Sequence, residues 1–313
     1  KTKSIGGTIG LKFTHITQRV FLSLILYFWL RIPYVCRFRN ELTMEEGDLL
    51  KLAVQTAVRA GKSIMNIYTT AFAVEQKEDQ SPLTLADQEA HQVIVRDLEG
   101  TGIPVLSEEG KHIQYQQRYA WDKLWIVDPL DGTKEFVKRN GEFTVNIALV
   151  ERGVPKLGVV YVPVSGTLYY ASEGAGAFKM EGVFEVDGAK EPNGKALPLD
   201  EYSQRDVFVA VGSRSHASPE TQAYFEALKE KHGRLQILSK GSSLKLCMVA
   251  EGAADVYPRF APTMEWDTAA GHAVCKYAGC EVWVHDRSQP LTYNKENLLN
   301  PWFLVERPKQ LVE

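Results

Sequence analysis

The stretch Leu124-Trp-Ile-Val-Asp-Pro-Leu-Asp-Gly-Thr-Lys-Glu-Phe136 contains a short apolar run that stops abruptly at two acidic residues. Residues 124–127 have the composition of a short buried strand. Asp128 and Asp131 follow it on a turn that a proline stiffens and a glycine loosens. Carboxylates held close together repel each other unless a cation lies between them. Because Mg²⁺ prefers hard oxygen ligands, the turn predicts a metal site.

The residues after the second acid suit a phosphate group. Gly132 and Thr133 stand at the start of a predicted short helix. The first N–H groups of a helix have no partner within it, and its dipole favours an anion there. We therefore expect the turn to bind a phosphate as well as a metal ion.

The composition is that of an ordinary globular protein. The 313 residues are 44% hydrophobic and 24% charged, with a net charge of −3. This balance provides for a large core in one or two domains and gives no strong attraction to nucleic acid polymers or anionic membranes. The four cysteines form neither a CxxC pair nor a zinc-site spacing, so we expect reduced thiols in a cytoplasmic protein.

Residues 1–43 differ from the rest of the chain. Residues 20–30 (VFLSLILYFWL) form an apolar run that is bounded by Arg19 and Arg31. The run is too short to span a bilayer, which takes about 20 residues. We expect residues 1–43 to be an extension of doubtful origin with no assigned fold, and Met44 to be the natural start. The second interpretation is a segment that associates peripherally with the cytoplasmic face of the inner membrane.

The remainder predicts two lobes, a metal-binding α+β lobe at residues 44–202 and an α/β lobe at residues 203–313. In the first lobe, the apolar periodicity predicts helices at 44–68 and about 84–98, and strands at 72–78, 104–107, 121–127, 143–151, 156–162, 167–172 and 176–179. The last four strands favour an antiparallel sheet. In the second lobe, predicted helices at 219–232, 242–251 and 267–277 alternate with strands at 207–211, 235–238, 254–257 and 281–284.

Five acidic residues each stand where a strand or loop meets the start of a helix: Asp87, Glu108, Asp128, Asp131 and Asp267. Taken alone, Asp87 is better explained as a first-turn acid that favours the helix dipole, and Asp267 as an N-cap. Taken together with the central turn, the five indicate a pocket for two or three metal ions. Two ions about 3.5–4 Å apart serve phosphoryl hydrolysis, because one activates water and the other neutralises the leaving oxygen.

Three motifs, in this order, resemble the inositol monophosphatase superfamily of Mg²⁺-dependent, lithium-sensitive phosphatases. They are SEEG at 107–110, WIVDPLDGTKEF at 125–136 and EWDTAAGHAV at 265–274. Residues 77–91, 211–216 and 240–245 are similar to its bisphosphate-nucleotidase branch. The similarity runs from about Met44 to about Val305. It implies a layered αβαβα sandwich of the sugar-phosphatase type.

The resemblance also implies a set of metal ligands: Glu108, Asp128, the backbone carbonyl of Leu130, Asp131 and Asp267. Asp87 would help to hold the most weakly bound ion or its water. Thr133 and Glu108 would orient the attacking water, and the N–H groups of Gly132 and Thr133 would hold the scissile phosphate.

The second lobe is expected to select the substrate. A nucleotide bisphosphate keeps a second phosphate that requires cations or N–H donors, whereas an inositol monophosphate requires hydroxyl partners. Two segments that follow predicted strands and lead into predicted helices carry polar residues that suit the bisphosphate: Ser213, Arg214, His216, Lys240, Ser243 and Lys245. The expected substrate-binding set also includes Glu108, Asp131, Gly132, Thr133 and Asp267. Lys240 and Lys245 are equally explained as solvated surface charges, and His216 is equally explained as a residue without a role in binding.

The resemblance implies hydrolysis of the 3′-phosphate of adenosine 3′,5′-bisphosphate to AMP and phosphate, linked to sulfate assimilation. Two or three Mg²⁺ ions are the expected cofactors. Hydrolysis of 3′-phosphoadenylyl sulfate and the oligomeric state stay open. Within the same chemistry, the alternative is an inositol monophosphatase or a broad sugar-phosphate phosphatase. From another class, the alternative is a catalytically silent Mg²⁺- or nucleotide-binding regulator.

Overall fold

A computed structural model describes residues 44–70, 82–110, 113–186, 193–203, 205–213 and 218–307. Residues 1–43 and the predicted strand at 72–78 lie outside the described residues. The peripheral membrane association considered for residues 1–43 therefore stays a prediction. Within the part of the chain that the structure describes, every helix is too short or too polar to traverse a bilayer.

The helices follow the predicted periodicity closely at the longer elements. They are α1 (Glu46–Tyr68), α2 (Pro82–Glu99), α3 (Tyr115–Arg118), α4 (Thr133–Val137), α5 (Pro219–His232), α6 (Leu244–Glu251) and α7 (Glu265–Tyr277). Helix α1 has acids in its first turn and buries one apolar face, which includes Ala53, Ala57 and Ile64. This spacing of three and four residues places the buried side chains on one side of the helix.

Seven strands form the first sheet, in chain order. They are β1 (Val105–Ser107), β2 (Lys123–Asp131), β3 (Thr144–Glu151), β4 (Val154–Val162), β5 (Thr167–Ser172), β6 (Gly176–Met180) and β7 (Lys195–Ala196). From β2 onward every neighbouring pair is antiparallel, which confirms the prediction for the stretch after residue 143. Strand β1 joins parallel to β2.

Five strands form the second sheet, in the order β11-β12-β10-β8-β9. They are β8 (Phe208–Ser213), β9 (Leu235–Lys240), β10 (Val256–Arg259), β11 (Glu281–Val284) and β12 (Phe303–Glu306). Strands β8, β9 and β10 are parallel, whereas β12 runs antiparallel to both of its neighbours. Sequence reasoning missed β12, because a short apolar strand near a chain end has little periodicity.

The layers stack as helix, sheet, helix, sheet and helix, which confirms the expected αβαβα sandwich. Helices α1 and α2 cover one face of the first sheet, and α7 packs on the other face. Helix α6 joins α7 to the second sheet, whose outer face α5 covers. Strand β2 alternates between the two cores: Trp125 and Val127 face α1 and α2, while Leu124 and Ile126 face α7.

The contacts group Met44–Glu313 as one unit. The expected boundary between residues 202 and 203 falls between β7 of the first sheet and β8 of the second sheet. The division into two lobes at that boundary stays a prediction.

Candidate active site

The sequence predicted a strand that ends at residue 127, before the acids. Strand β2 instead continues through both acids to Asp131. Asp128 pairs with Asn146 of β3, and Asp131 pairs with Thr144. Three steps along β2 therefore match two steps along β3, and the extra residue forms a bulge. A bulge redirects side chains at the end of a strand. It is the means by which both acids reach one end of the sheet.

Gly132 lies directly after the bulge and adopts a left-handed conformation, with φ 98°. A Cβ at this position would lie 3.2 Å from the carbonyl oxygen of Glu142 and from Cα of Phe143. Only glycine accepts this conformation without strain and also leaves that space. Thr133 then opens α4 and is exposed to solvent. The expected helix start at the turn is thus confirmed.

Three acids from separate elements converge beside the turn. One carboxylate oxygen each from Glu108, Asp128 and Asp267 lies within 4.8 Å of the other two. Asp128 is buried; its Oδ1 accepts a hydrogen bond from the N–H of Leu130 at 3.1 Å, and its Oδ2 has no partner among the described residues. A buried carboxylate oxygen without a partner is costly unless a cation binds it.

The electrostatics of this cluster also fit a cation. Burial, followed by repulsion from Asp131, raises the pKa values of Glu108, Asp128 and Asp267 above the usual carboxyl range. Such mutual repulsion indicates a site that lacks positive charge. Carboxylate oxygens are the donors that Mg²⁺ and similar hard cations prefer, so the residues present fit such an ion.

Asp87 lies deeper in α2 than the sequence predicted. The helix begins at Pro82, so Asp87 lies beyond its first turn, and the first-turn explanation is wrong. Its side chain is buried, and Oδ1 has no hydrogen-bond partner in the described part of the chain. Burial, then repulsion from Glu109 and Glu108, raises the pKa of Asp87 to about 8. A role beside a weakly bound ion stays a prediction.

Asp131 accepts hydrogen bonds from the two serines that link β9 of the second sheet to α6. Its Oδ2 accepts hydrogen bonds from the hydroxyl of Ser242 at 2.6 Å, the N–H of Ser243 at 2.7 Å and the hydroxyl of Ser243 at 3.1 Å. Ser243 is buried, and its single hydroxyl proton is shared between Oδ2 of Asp131 and the backbone carbonyl oxygen of Asp267, which lies 2.7 Å from the serine oxygen. The expected contact of Ser243 with substrate stays a prediction.

Asp267 is not the N-cap of its helix. Met264 is the cap, and Oδ2 of Asp267 accepts a hydrogen bond from the N–H of Met264 at 2.8 Å. The contact closes the first turn of α7 and fixes the carboxyl group. The side chain therefore bonds back to the N-cap residue from the first turn and also contributes an oxygen to the acidic cluster.

A cavity of about 510 Å³ lies next to the acids and is bounded by the turn and the second sheet. Lys245 lines it and is only 5% exposed, so the surface-charge interpretation of this residue is wrong. Its Nζ donates to the carbonyl oxygen of Ser242 and lies 5.6 Å from the ring centre of Tyr257. Burial lowers the pKa of Lys245 to about 8, and Asp131 opposes that shift.

Arg259 is a cavity residue that sequence reasoning missed. It ends β10 and lines the cavity, where its guanidinium donates to the carbonyl oxygen of Pro262 at 3.0 Å. Its Nε has no partner among the residues that the structure describes. The available signal was an arginine at the end of an apolar run, but the predicted strand stopped two residues earlier.

The other expected substrate residues divide into three groups. Ser213 lines the cavity at the end of β8. Lys240 lies in an ion pair with Glu142, with 3.3 Å between Nζ and Oε1. Arg214 and His216 lie outside the described residues. His272 of α7 is buried against Tyr293, with 2.9 Å between Nδ1 and the tyrosine hydroxyl.

Known proteins resemble this chain over most of its length. The family model for the inositol monophosphatase family matches residues 45–307. The 3′(2′),5′-bisphosphate nucleotidase CysQ of Salmonella typhimurium is 46% identical over 263 residues, which is 82% of this chain and 99% of the relative. CysQ of Escherichia coli K12 shows the same identity and coverage.

Solved structures of the same family also resemble this chain. CysQ from Bacteroides thetaiotaomicron, described as a bacterial member of the inositol monophosphatase family, superposes with a TM-score of 0.80 at 52% identity and covers 85% of this chain and 99% of its own. The Thermotoga maritima IMPase superposes with a TM-score of 0.61 at 26% identity, covering 83% of this chain and 92% of its own. The chain belongs to the inositol monophosphatase family.

Proposed function

We propose that the chain is a Mg²⁺-dependent 3′(2′),5′-bisphosphate nucleotidase that hydrolyses the 3′-phosphate of adenosine 3′,5′-bisphosphate to AMP and phosphate. The family is metal-dependent. The observation that carries the proposal is the convergence of Glu108, Asp128 and Asp267 beside a cavity that is lined by the side chains of buried Lys245 and half-buried Arg259. Relatives that are 46–48% identical over 82% of this chain bear the name of this activity.

The metal ligands are proposed to be Glu108, Asp128, the carbonyl oxygen of Leu130, Asp131 and Asp267, with two or three Mg²⁺ ions as cofactors. Bound Mg²⁺ supplies positive charge that activates water and neutralises the departing oxygen. Thr133 and Glu108 orient the attacking water, and the N–H groups of Gly132 and Thr133 hold the scissile phosphate. Asp87 supports the most weakly bound ion or its water.

The second phosphate is assigned to the cationic wall of the cavity. Lys245 and Arg259 both line it, and Arg259 offers the fork of N–H donors that suits a phosphate. An inositol monophosphate has no group that needs this wall. Because the cations are partly desolvated, their attraction for a phosphate dianion is stronger than at an exposed site. This arrangement favours a bisphosphate.

A panel of phosphomonoesters tests the proposal. We expect phosphate release to require Mg²⁺, to fall with Li⁺, and to show a higher kcat/KM for adenosine 3′,5′-bisphosphate than for inositol 1-phosphate. A preference for inositol 1-phosphate would support an inositol monophosphatase instead. Absence of Mg²⁺-dependent release from every ester would support a silent regulator.

Two variants sharpen this assay. Asp131→Asn removes one of the four carboxylate charges proposed to bind the metal ions and should abolish turnover of every substrate; wild-type rates in this variant would contradict the metal assignment. Arg214→Ala should reduce kcat/KM for the bisphosphate alone if that residue binds the second phosphate. The cytoplasmic location, the link to sulfate assimilation and the hydrolysis of 3′-phosphoadenylyl sulfate stay predictions.

A further inference from the structure

Strand β3 carries two buried polar side chains at the end that faces the acids. Thr144 and Asn146 are both buried, and they lie between and beside apolar residues of the same strand. The register places Thr144 opposite Asp131 and Asn146 opposite Asp128. Burial of polar groups is costly unless they are hydrogen-bonded, so the partners of these two side chains show what the groups do.

Both side chains bind the serines that precede α6. The hydroxyl of Thr144 lies 2.6 Å from the hydroxyl of Ser242 and 3.0 Å from Oδ1 of Asn146. The amide of Asn146 donates to the hydroxyl of Ser243 at 2.9 Å. Because this donation occupies a lone pair of the serine oxygen, the serine proton is directed toward Oδ2 of Asp131 and the backbone carbonyl oxygen of Asp267.

The two serines in turn saturate one oxygen of Asp131. Three donors surround Oδ2 of this residue, which leaves Oδ1 as its oxygen without a hydrogen-bond partner among the described residues. Ser242 adopts a left-handed conformation with φ 56°, which is strained for a non-glycine residue. The network around it therefore holds a conformation that the chain alone would not favour.

We propose that Thr144 and Asn146 are positioning residues, which orient Asp131 for a bound metal ion through Ser242 and Ser243. This inference rests on the metal site of the proposed function. It assigns Ser243 to the orientation of Asp131 and Asp267 rather than to contact with substrate. It also makes the metal site depend on the fit of the two sheets, because the serines follow β9 whereas the acid ends β2.

The test is Mn²⁺ affinity, measured from the electron paramagnetic resonance signal of the free ion. Groups that orient metal ligands typically change metal affinity by about 10- to 100-fold when removed. We expect that weakening in Asn146→Ala and Thr144→Val. Thr144→Ser keeps the hydroxyl and should restore the affinity that Thr144→Val loses.

Val145→Ala is the matched control for lost packing. Val145 is buried on the same strand but belongs to the core against α1 and α2. The Val145→Ala substitution should lower the unfolding temperature and leave Mn²⁺ affinity unchanged. If Asn146→Ala does not fold, Ser243→Ala removes the same link with a smaller loss of volume.

The outcomes separate this inference from the proposed function. Wild-type Mn²⁺ affinity in the Asn146, Thr144 and Ser243 variants would overturn it, as would an equal loss in Val145→Ala. Failure of the wild-type protein to bind Mn²⁺ would overturn it as well. A wild-type protein that binds Mn²⁺ but hydrolyses no bisphosphate, with weaker binding in the variants, would contradict only the proposed substrate.

Discussion

Lys240 and Glu142 form an ion pair between the end of β9 and the loop before β3, with 3.3 Å between Nζ and Oε1. The other carboxylate oxygen of Glu142 accepts a hydrogen bond from the N–H of Gly241 at 2.9 Å. The two contacts hold the segment that leads into Ser242 and Ser243. Lys240 is thus compensated by an acid, whereas Lys245 is buried in the lining of the cavity and donates to a backbone carbonyl oxygen.

This difference predicts unequal effects of two lysine substitutions. Lys245→Met should lower kcat/KM for adenosine 3′,5′-bisphosphate by about 10- to 100-fold, because a hydrogen bond to a charged group contributes about 1.5–3 kcal/mol. Lys240→Met should change it by less than about threefold, since the lysine side chain is 41% exposed. Steady-state kinetics decide, and equal losses would return Lys240 to the phosphate site.

A second prediction concerns the glycine of the turn. Gly132→Ala should lower the free energy of unfolding by about 2 kcal/mol, since the left-handed conformation and the contacts with Glu142 and Phe143 both oppose a Cβ. It should also lower kcat by at least about tenfold, because the N–H groups of the turn shift. Urea unfolding and kcat measure the two effects.

Gly102 provides the matched control for that variant. It also has a positive φ, 68°, but a Cβ there would meet no atom within 4 Å. Gly102→Ala should therefore cost only about 1 kcal/mol and leave kcat unchanged. Equal effects of the two substitutions would show that the crowding at Gly132 is unimportant.

A third prediction concerns pH and metal removal. The pKa of Asp87 is raised from 3.8 to about 8 in the folded protein, so the folded state retains a proton that the unfolded state has lost. The stability of the metal-free protein should therefore fall as the pH rises from about 4 to 8. Mg²⁺ should restore more stability at pH 8 than at pH 5, as measured by thermal unfolding with and without EDTA.

Asp87→Asn tests the source of that pH dependence. The variant should flatten the decline in metal-free stability, because the amide does not ionise. Glu89→Gln on the same helix changes an exposed carboxyl group and should leave the decline in place. A decline that persists in Asp87→Asn would assign the effect to the other acids of the cluster.

A fourth prediction concerns the start of α7, two residues before Asp267. The carboxylate of Glu265 is fully buried and accepts a hydrogen bond from Nζ of Lys295 at 2.6 Å. The N–H groups of Asn294 and Lys295 also donate to it. Lys295→Met should lower the free energy of unfolding by about 1–3 kcal/mol, because it removes a charged partner from a buried carboxylate.

The matched control for Lys295→Met is Lys123→Met. Lys123 lies 4.0 Å from Glu151 in an exposed ion pair. Such pairs contribute about 0–1 kcal/mol, so this substitution should have little effect on urea unfolding. Similar losses in both variants would mean that the buried position of Glu265 adds nothing.

The local features of the chain were predictable because neighbouring residues decide them. Apolar periodicity identified α1, α5 and α7, and the acids around Gly132 identified the metal-binding turn. The layered fold followed from the resemblance of three motifs. The ends of helices were predicted less accurately. Helix α2 begins at Pro82, so Asp87 is a buried acid beyond the first turn and not a first-turn acid.

The sequence by itself determined the kind of chemistry, since closely spaced carboxylates require a cation wherever the chain folds. The tertiary structure decided which groups surround them. Only the pairing of β2 with β3 places Thr144 and Asn146 opposite the acids, and only the second sheet brings Ser242 to Asp131. It also buried Lys245, left Lys240 with Glu142, and placed Arg259 in the cavity. Burial and partnership depend on residues that are far apart in the chain, and no local pattern encodes them.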